Sequence, residues 1–306
     1  MSPPAIRPEP SPDATRANAR RGLLWFGLGV LLVSAPLEAW LLRSPGPLEA
    51  QPRLVFALVA VPGAVSVLVR LARREGFADL SLRVGNRRAL AIAWLLPAAA
   101  LALAYGLAWA AGLERFEMPP GAPPSMGVAA TFAASFAFAL VQGTVFGSLG
   151  AAAEELGWRG YLLTRLVDAG VKRPVLVSGL AWALWQLPLV LSGRYAPGPS
   201  LALSALLFVA GTVAHAYALA KLRLGSGSVW PAIIYRASWA AQLQGTFEAF
   251  TRGGLAPPRP SLWTGESGLL VVAAIAALAL AYVARPWPLR RSPAERPAGS
   301  MSLGDA

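Results

Sequence analysis

The chain alternates long apolar runs with short polar or basic segments, and the runs fall near residues 22–42, 54–72, 89–112, 126–153, 174–192, 200–220, 229–249 and 267–284. Runs of about 20 residues match the length of a helix crossing the roughly 30 Å hydrocarbon layer, whereas a barrel strand needs only about ten. Inside lipid every backbone N–H and C=O must be bonded within the protein, which a helix achieves alone. The pattern therefore predicts an all-α, polytopic integral membrane protein with about eight transmembrane helices in a single membrane domain, residues 22–285. The Pro-rich stretches 1–21 and 286–306 hold too little apolar surface to pack and are expected as disordered tails. The segment 76–88 mixes charge with spaced apolar residues, so it fits an interfacial segment or a plain loop. No internal repeat at a fixed period is evident.

Composition supports lipid as the solvent: 56% of the residues are hydrophobic and only 14% charged, too apolar a mix for a water-soluble core of this size. The net charge of +12 would suit nucleic acid if it were clustered on one domain, but it is spread over the short segments between runs. With the N-terminus inside, twenty of the 27 Lys and Arg residues fall on the inner segments and six on the outer ones, with Arg236 alone inside a run. That excess predicts a multi-pass protein of the cell membrane with both termini cytoplasmic. The first run lacks a small-residue cleavage site and is of full span length, so it is expected as a span rather than a signal peptide. Membrane lipid is the implied partner and nucleic acid is not. With no cysteine and a single histidine, His215, neither a thiolate nor a multi-histidine metal site is available, and no cofactor is expected.

Charges inside spans cost a few kcal/mol each on insertion scales, so those present mark the chemistry. The candidates are Glu38, Glu154, Glu155 and Arg236. Glu38 follows Pro36 near a span end, where it can reach the interface. In SLGAAAEELGWRGYLLTRL (148–166), Glu155 and Arg159 are four apart and suited to an ion pair, whereas Glu154 lies about 100° round the helix and faces elsewhere. Small residues at Gly147, Ser148, Gly150 and 151–153 let helices approach closely and bury Glu154. A structural charge network is the plainer reading of the same residues.

The run Glu154-Glu155-Leu156-Gly157-Trp158-Arg159-Gly160-Tyr161-Leu162 resembles the EExxxR motif of the CPBP (CAAX prenyl protease 2-like, or ABI) intramembrane endopeptidases. SGLAWALWQLPLVL (178–191) resembles the family's second motif, FxxxH before Leu-Pro, and GSVWPAIIYRASWAA (227–241) its third, HxxxN after Gly-Ser-x-Trp-Pro-Ala. The resemblance spans about 126–245 and implies a CAAX-protease-like helical bundle in which the fourth, fifth and seventh spans surround a cavity open toward the cytoplasm. It also implies a membrane-anchored peptide or protein as substrate, and a first glutamate, here Glu154, that activates water held by two histidines and an asparagine. This chain departs from the pattern at all three of those positions, with Gln186 and Arg236 at the histidines and Ala240 at the asparagine, and Trp182 stands at the aromatic position of the second motif.

An amide has no useful basicity near neutral pH and guanidinium stays protonated, so neither Gln186 nor Arg236 exchanges protons as imidazole does. Both still donate hydrogen bonds to an oxyanion. The site set is thus Glu154, Glu155, Arg159, Gln186 and Arg236, with impaired or lost proteolysis expected. An active glutamate-dependent endopeptidase and a non-catalytic scaffold or peptide- and lipid-binding protein are the alternatives. A small-solute transporter would show duplicated halves with paired broken helices, and these are missing. An interior Arg236 needs an anion, and Glu154, with Glu155 already facing Arg159, is the expected partner. His215 is expected as a hydrogen-bonded structural residue. Trp182, Trp185, Trp230 and Trp239 are expected in packing or at the interface. Pro188 and Pro231 are expected to kink or start helices.

Overall fold

The computed structural model describes residues 11–122, 126–252 and 260–284. Among them the chain forms eight helical segments: α1 Pro12–Arg43, α2 Pro52–Arg73, α3 Arg87–Ala110, α4 Val128–Asp168, α5 Pro174–Leu191, α6 Leu201–Ser226, α7 Trp230–Gln242 and α8 Leu269–Val283. α7 continues through a π turn, Leu243–Phe247, into Ala249–Arg252. Six of these helices, α1 to α6, are long and apolar enough to cross a membrane. Large apolar side chains such as Leu32, Phe146 and Leu149 point outward, as lipid-facing residues do in a bundle whose solvent is hydrocarbon. The protein is a polytopic helical membrane protein.

Hydrogen bonds between connections define two ends. At one, Arg73 of α2 donates to the Asn18 carbonyl (3.1 Å), Arg165 of α4 pairs with Asp79 (3.0 Å), and Arg223 of α6 donates to the Asp79 carbonyl (3.0 Å). At the other, Arg194 binds the Ser44 carbonyl (2.9 Å), Trp109 donates to Thr251 (3.0 Å), and Tyr195 donates to Glu266. The first end gathers the connections rich in Lys and Arg, in keeping with helices that run up and down in alternation.

Two expectations need correction. Residues 12–21, expected in a disordered tail, extend α1: Ser11 caps the helix by accepting from the Ala14 N–H (3.2 Å), Ala19 and Gly22 are buried, and Arg73 ties Asn18 down. Residues 1–10 and 285–306 lie outside the described set. The fourth segment, expected to end near 153, runs on to Asp168 as one helix of 41 residues. At 1.5 Å per residue it is about 60 Å long, roughly twice the hydrocarbon thickness, so the motif glutamates sit within its body and not at its end. The segment 76–88, expected as an interfacial segment or a plain loop, is a packed connection. It carries a short 3₁₀ turn, Ala78–Leu80, and packs down onto the basic end, where Val229 N–H bonds to the Ser81 carbonyl (3.1 Å) and Trp230 Nε1 to that of Leu82 (2.8 Å).

That end is held by a buried ion network. Asp79 pairs with Arg70 and Arg165, and Glu75 accepts from Arg73 (2.7 Å), Arg165 (2.8 Å) and Tyr161 (3.1 Å). Burial pushes the Glu75 carboxyl up, but the bonds from Arg73, Arg165 and Tyr161 and the Arg165 charge outweigh it and hold the group below its ordinary range. Arg70 also reaches the Gly160 carbonyl (3.0 Å), which lies in the π turn Trp158–Leu162. Such a turn frees a carbonyl from the helical ladder, and here a guanidinium takes it.

Candidate active site

α4 carries the two glutamates, and small residues decide how deeply it is buried. A Cβ on Gly63 of α2 would lie 2.3 Å from the Ala153 carbonyl oxygen, and one on Gly157 would lie 2.4 Å from Pro62. On the other side, a Cβ on Gly143 would meet Ala241 of α7 at 2.8 Å, and Gly147 stands against Ala237. α4 is therefore clamped between α2 and α7 at backbone distance, the geometry that small residues permit between membrane helices. The clamp leaves Glu154 5% exposed and Glu155 fully buried.

Each glutamate meets an arginine. Arg159 Nη1 donates to Glu155 Oε1 at 3.0 Å, one turn along the same helix. Arg236 Nη2 of α7 lies 3.7 Å from Glu154 Oε1. The Trp182 ring of α5 stands between the two pairs, with the Arg159 guanidinium 4.2 Å and that of Arg236 5.6 Å from its centroid. Six buried polar atoms here have no hydrogen-bond partner among the described residues: Glu154 Oε2, Glu155 Oε2, Arg159 Nη2, Arg236 Nε, Trp158 Nε1 and Trp182 Nε1. Folded proteins carry few such atoms, and a concentration of them marks a site built for more than packing.

Arg236 and Gln186 line one cavity with Trp182, His215, Trp239 and Glu266, and Phe208, Gly211 and Thr212 of α6 complete the wall. The space is narrow, with room for about one water molecule. His215 Nδ1 is 2.8 Å from the Tyr235 hydroxyl and its ring packs edge-on to Trp239 at 4.3 Å. Glu266 accepts from Trp239 Nε1 (3.3 Å) through one oxygen and from the Tyr195 hydroxyl through the other. Burial first, and then the Glu266 charge, push the Tyr195 hydroxyl well above its usual range, which keeps it a donor.

Of the five site residues expected, Glu154 and Arg236 meet, Glu155 and Arg159 meet, and Gln186 shares the cavity with Arg236. Ala240 and Glu38 are not among the lining residues. His215 is hydrogen-bonded as expected but also faces the cavity. Trp182 and Trp239 line it, whereas Trp185 bonds Ser34 in the core (2.8 Å) and Trp230 anchors the 76–88 segment. Pro231 starts α7, and Pro188 lies inside α5.

The cavity's wall comes from the middle of α5 and α6, from α7 and from Glu266 before α8, whose carboxylate is bonded by Tyr195 of the α5–α6 connection. The basic end is filled by the Asp79 network and the 76–88 segment. Glu266 and Tyr195 were missed because both stand in connections, outside the apolar runs searched for charge. The available signal was an acidic residue in WTGESGLL, directly before the last run.

The fold and site together define a multi-pass helical membrane protein with two acidic residues and two arginines converging in its interior. Residues 136–241, from α4 to α7, match the family model described as Rce1-like, type II CAAX prenyl endopeptidase, the family that the three motifs resemble. No curated protein matches the chain.

Proposed function

We propose that this is a CPBP-type endopeptidase-like protein of the cell membrane, with both termini cytoplasmic, in which Glu154-driven proteolysis is impaired or lost. The observation that carries the reading is the 3.7 Å approach of Arg236 to Glu154. In the family's chemistry, a glutamate at this position draws a proton from water while imidazoles hold that water. Here a permanent cation takes the histidine position and sits against the carboxylate. It occupies the space of the water that Glu154 would activate. Gln186, the second replaced position, supplies a hydrogen bond but no proton exchange, and Ala240 supplies neither. Loss of general acid–base groups costs about 100- to 10,000-fold each in typical enzymes, and several are replaced together.

The test is purified protein in lipid discs, incubated with a panel of membrane-anchored peptides, prenylated C-terminal peptides included, beside Glu154→Ala. The reading expects no cleavage that depends on Glu154. Cleavage abolished by Glu154→Ala would replace it with an active endopeptidase.

A further inference from the structure

We propose that Glu266 is a third acidic residue of this site, a positioning residue that competes with Glu154 for Arg236 and is restrained from doing so by Tyr195. The inference rests on the reading that Arg236 holds Glu154, and it adds what sets that pairing.

Glu266 lies outside the matched segment 136–241, yet its side chain lines the same cavity as Arg236. Both its oxygens are taken by neutral donors, Trp239 Nε1 and the Tyr195 hydroxyl, and among the described residues it makes no ion pair. Trp239 follows Arg236 by three residues on α7, so the group that holds Glu266 and the guanidinium that would pair with it are neighbours on one helix face.

Arg236 is under-bonded where it stands. Its distance to Glu154 exceeds that of a charge-assisted hydrogen bond, typically about 2.7–2.9 Å, and its Nε is buried without a partner, as is Glu154 Oε2. A guanidinium with five donors and no means of losing its proton gains from a second carboxylate on the wall of the same cavity. What keeps Glu266 away is the pair of neutral bonds, and one of them comes from the α5–α6 connection. That connection turns through left-handed backbone at Gly193 (φ 72°) and Ala196 (φ 47°), on either side of Tyr195. Withdrawal of Tyr195 frees one oxygen of Glu266 to take Arg236, and Glu154 is then released. The arrangement is two carboxylates sharing one cation, with a hydroxyl deciding the division.

The experiment is a set of double-mutant cycles read by melting temperature in lipid discs. The Arg236–Glu154 coupling is measured with Arg236→Ala and Glu154→Gln in three backgrounds: wild type, Glu266→Gln and Tyr195→Phe. Arg236→Gln serves in place of the alanine variant if that one fails to fold. The proposal expects the coupling to rise by at least about 2 °C when Glu266 is neutralised and to fall by a similar amount when Tyr195 loses its hydroxyl. A merely structural Glu266 would lower every melting temperature alike and leave the coupling unchanged, and equal, non-zero coupling in all three backgrounds overturns this inference alone. Absence of coupling in every background overturns the Glu154–Arg236 reading as well.

Discussion

Arg236 approaches Glu154 to 3.7 Å across the α4–α7 contact. Removing one partner of a buried pair leaves a charge without compensation, which typically costs about 3–5 kcal/mol, whereas neutralising both removes the problem. Arg236→Ala is therefore expected to destabilise the protein strongly, and Arg236→Ala with Glu154→Gln to recover much of the loss. Denaturation of the purified variants measures this, and additive effects would show that the two do not interact.

The close contacts around Glu154 have their own consequence. A methyl group at Gly63 would meet the Ala153 carbonyl oxygen at 2.3 Å, and the obstacle is backbone, which cannot swing aside. Gly63→Ala is expected to push α2 from α4 and destabilise by about 1–3 kcal/mol, the usual cost of overpacking. Gly150→Ala is the control, because a Cβ there meets nothing within 4 Å. Equal melting temperatures for the two variants would contradict the clamp.

Glu75 makes stability acid-sensitive. Its carboxyl is held below the ordinary value in the folded protein, so its contribution is present above that value, about 4.3, and is lost as pH falls through the lower folded one. An acid titration of melting temperature should fall less steeply in Glu75→Gln than in the wild type. The same slope in both would remove the Arg73–Glu75–Arg165 network from the account.

Orientation follows from the Lys and Arg distribution. Reporters fused after residues 46 and 120 should report the outer face and one fused after residue 171 the cytoplasm. The opposite pattern would invert the protein.

Much of this fold is legible from hydrophobic runs, because lipid forces nearly every span to be a helix and the basic segments mark one set of ends. The Glu155–Arg159 and Glu154–Arg236 pairs are legible too: one follows from helical spacing, and the other from the need of an interior guanidinium for an anion. What local pattern hides is where connections fold back. Asn18 is helical because Arg73, 55 residues on, binds it, and Asp79 is buried by three arginines from three helices. Glu266 stands in a polar connection, and only the meeting of α7 with the residues before α8 brings it to Arg236.

The most direct measurement gives the site the side chains of the motifs that it resembles. Gln186→His, Arg236→His and Ala240→Asn are combined in one variant and assayed on membrane-anchored peptides beside the wild type and the same variant carrying Glu154→Ala. The account predicts cleavage by the triple variant alone, at least about 100-fold above the wild type, and its loss with Glu154→Ala. Wild-type protein that cleaves as fast as the triple variant, and loses that activity with Glu154→Ala, would contradict the claim that Arg236 disables Glu154.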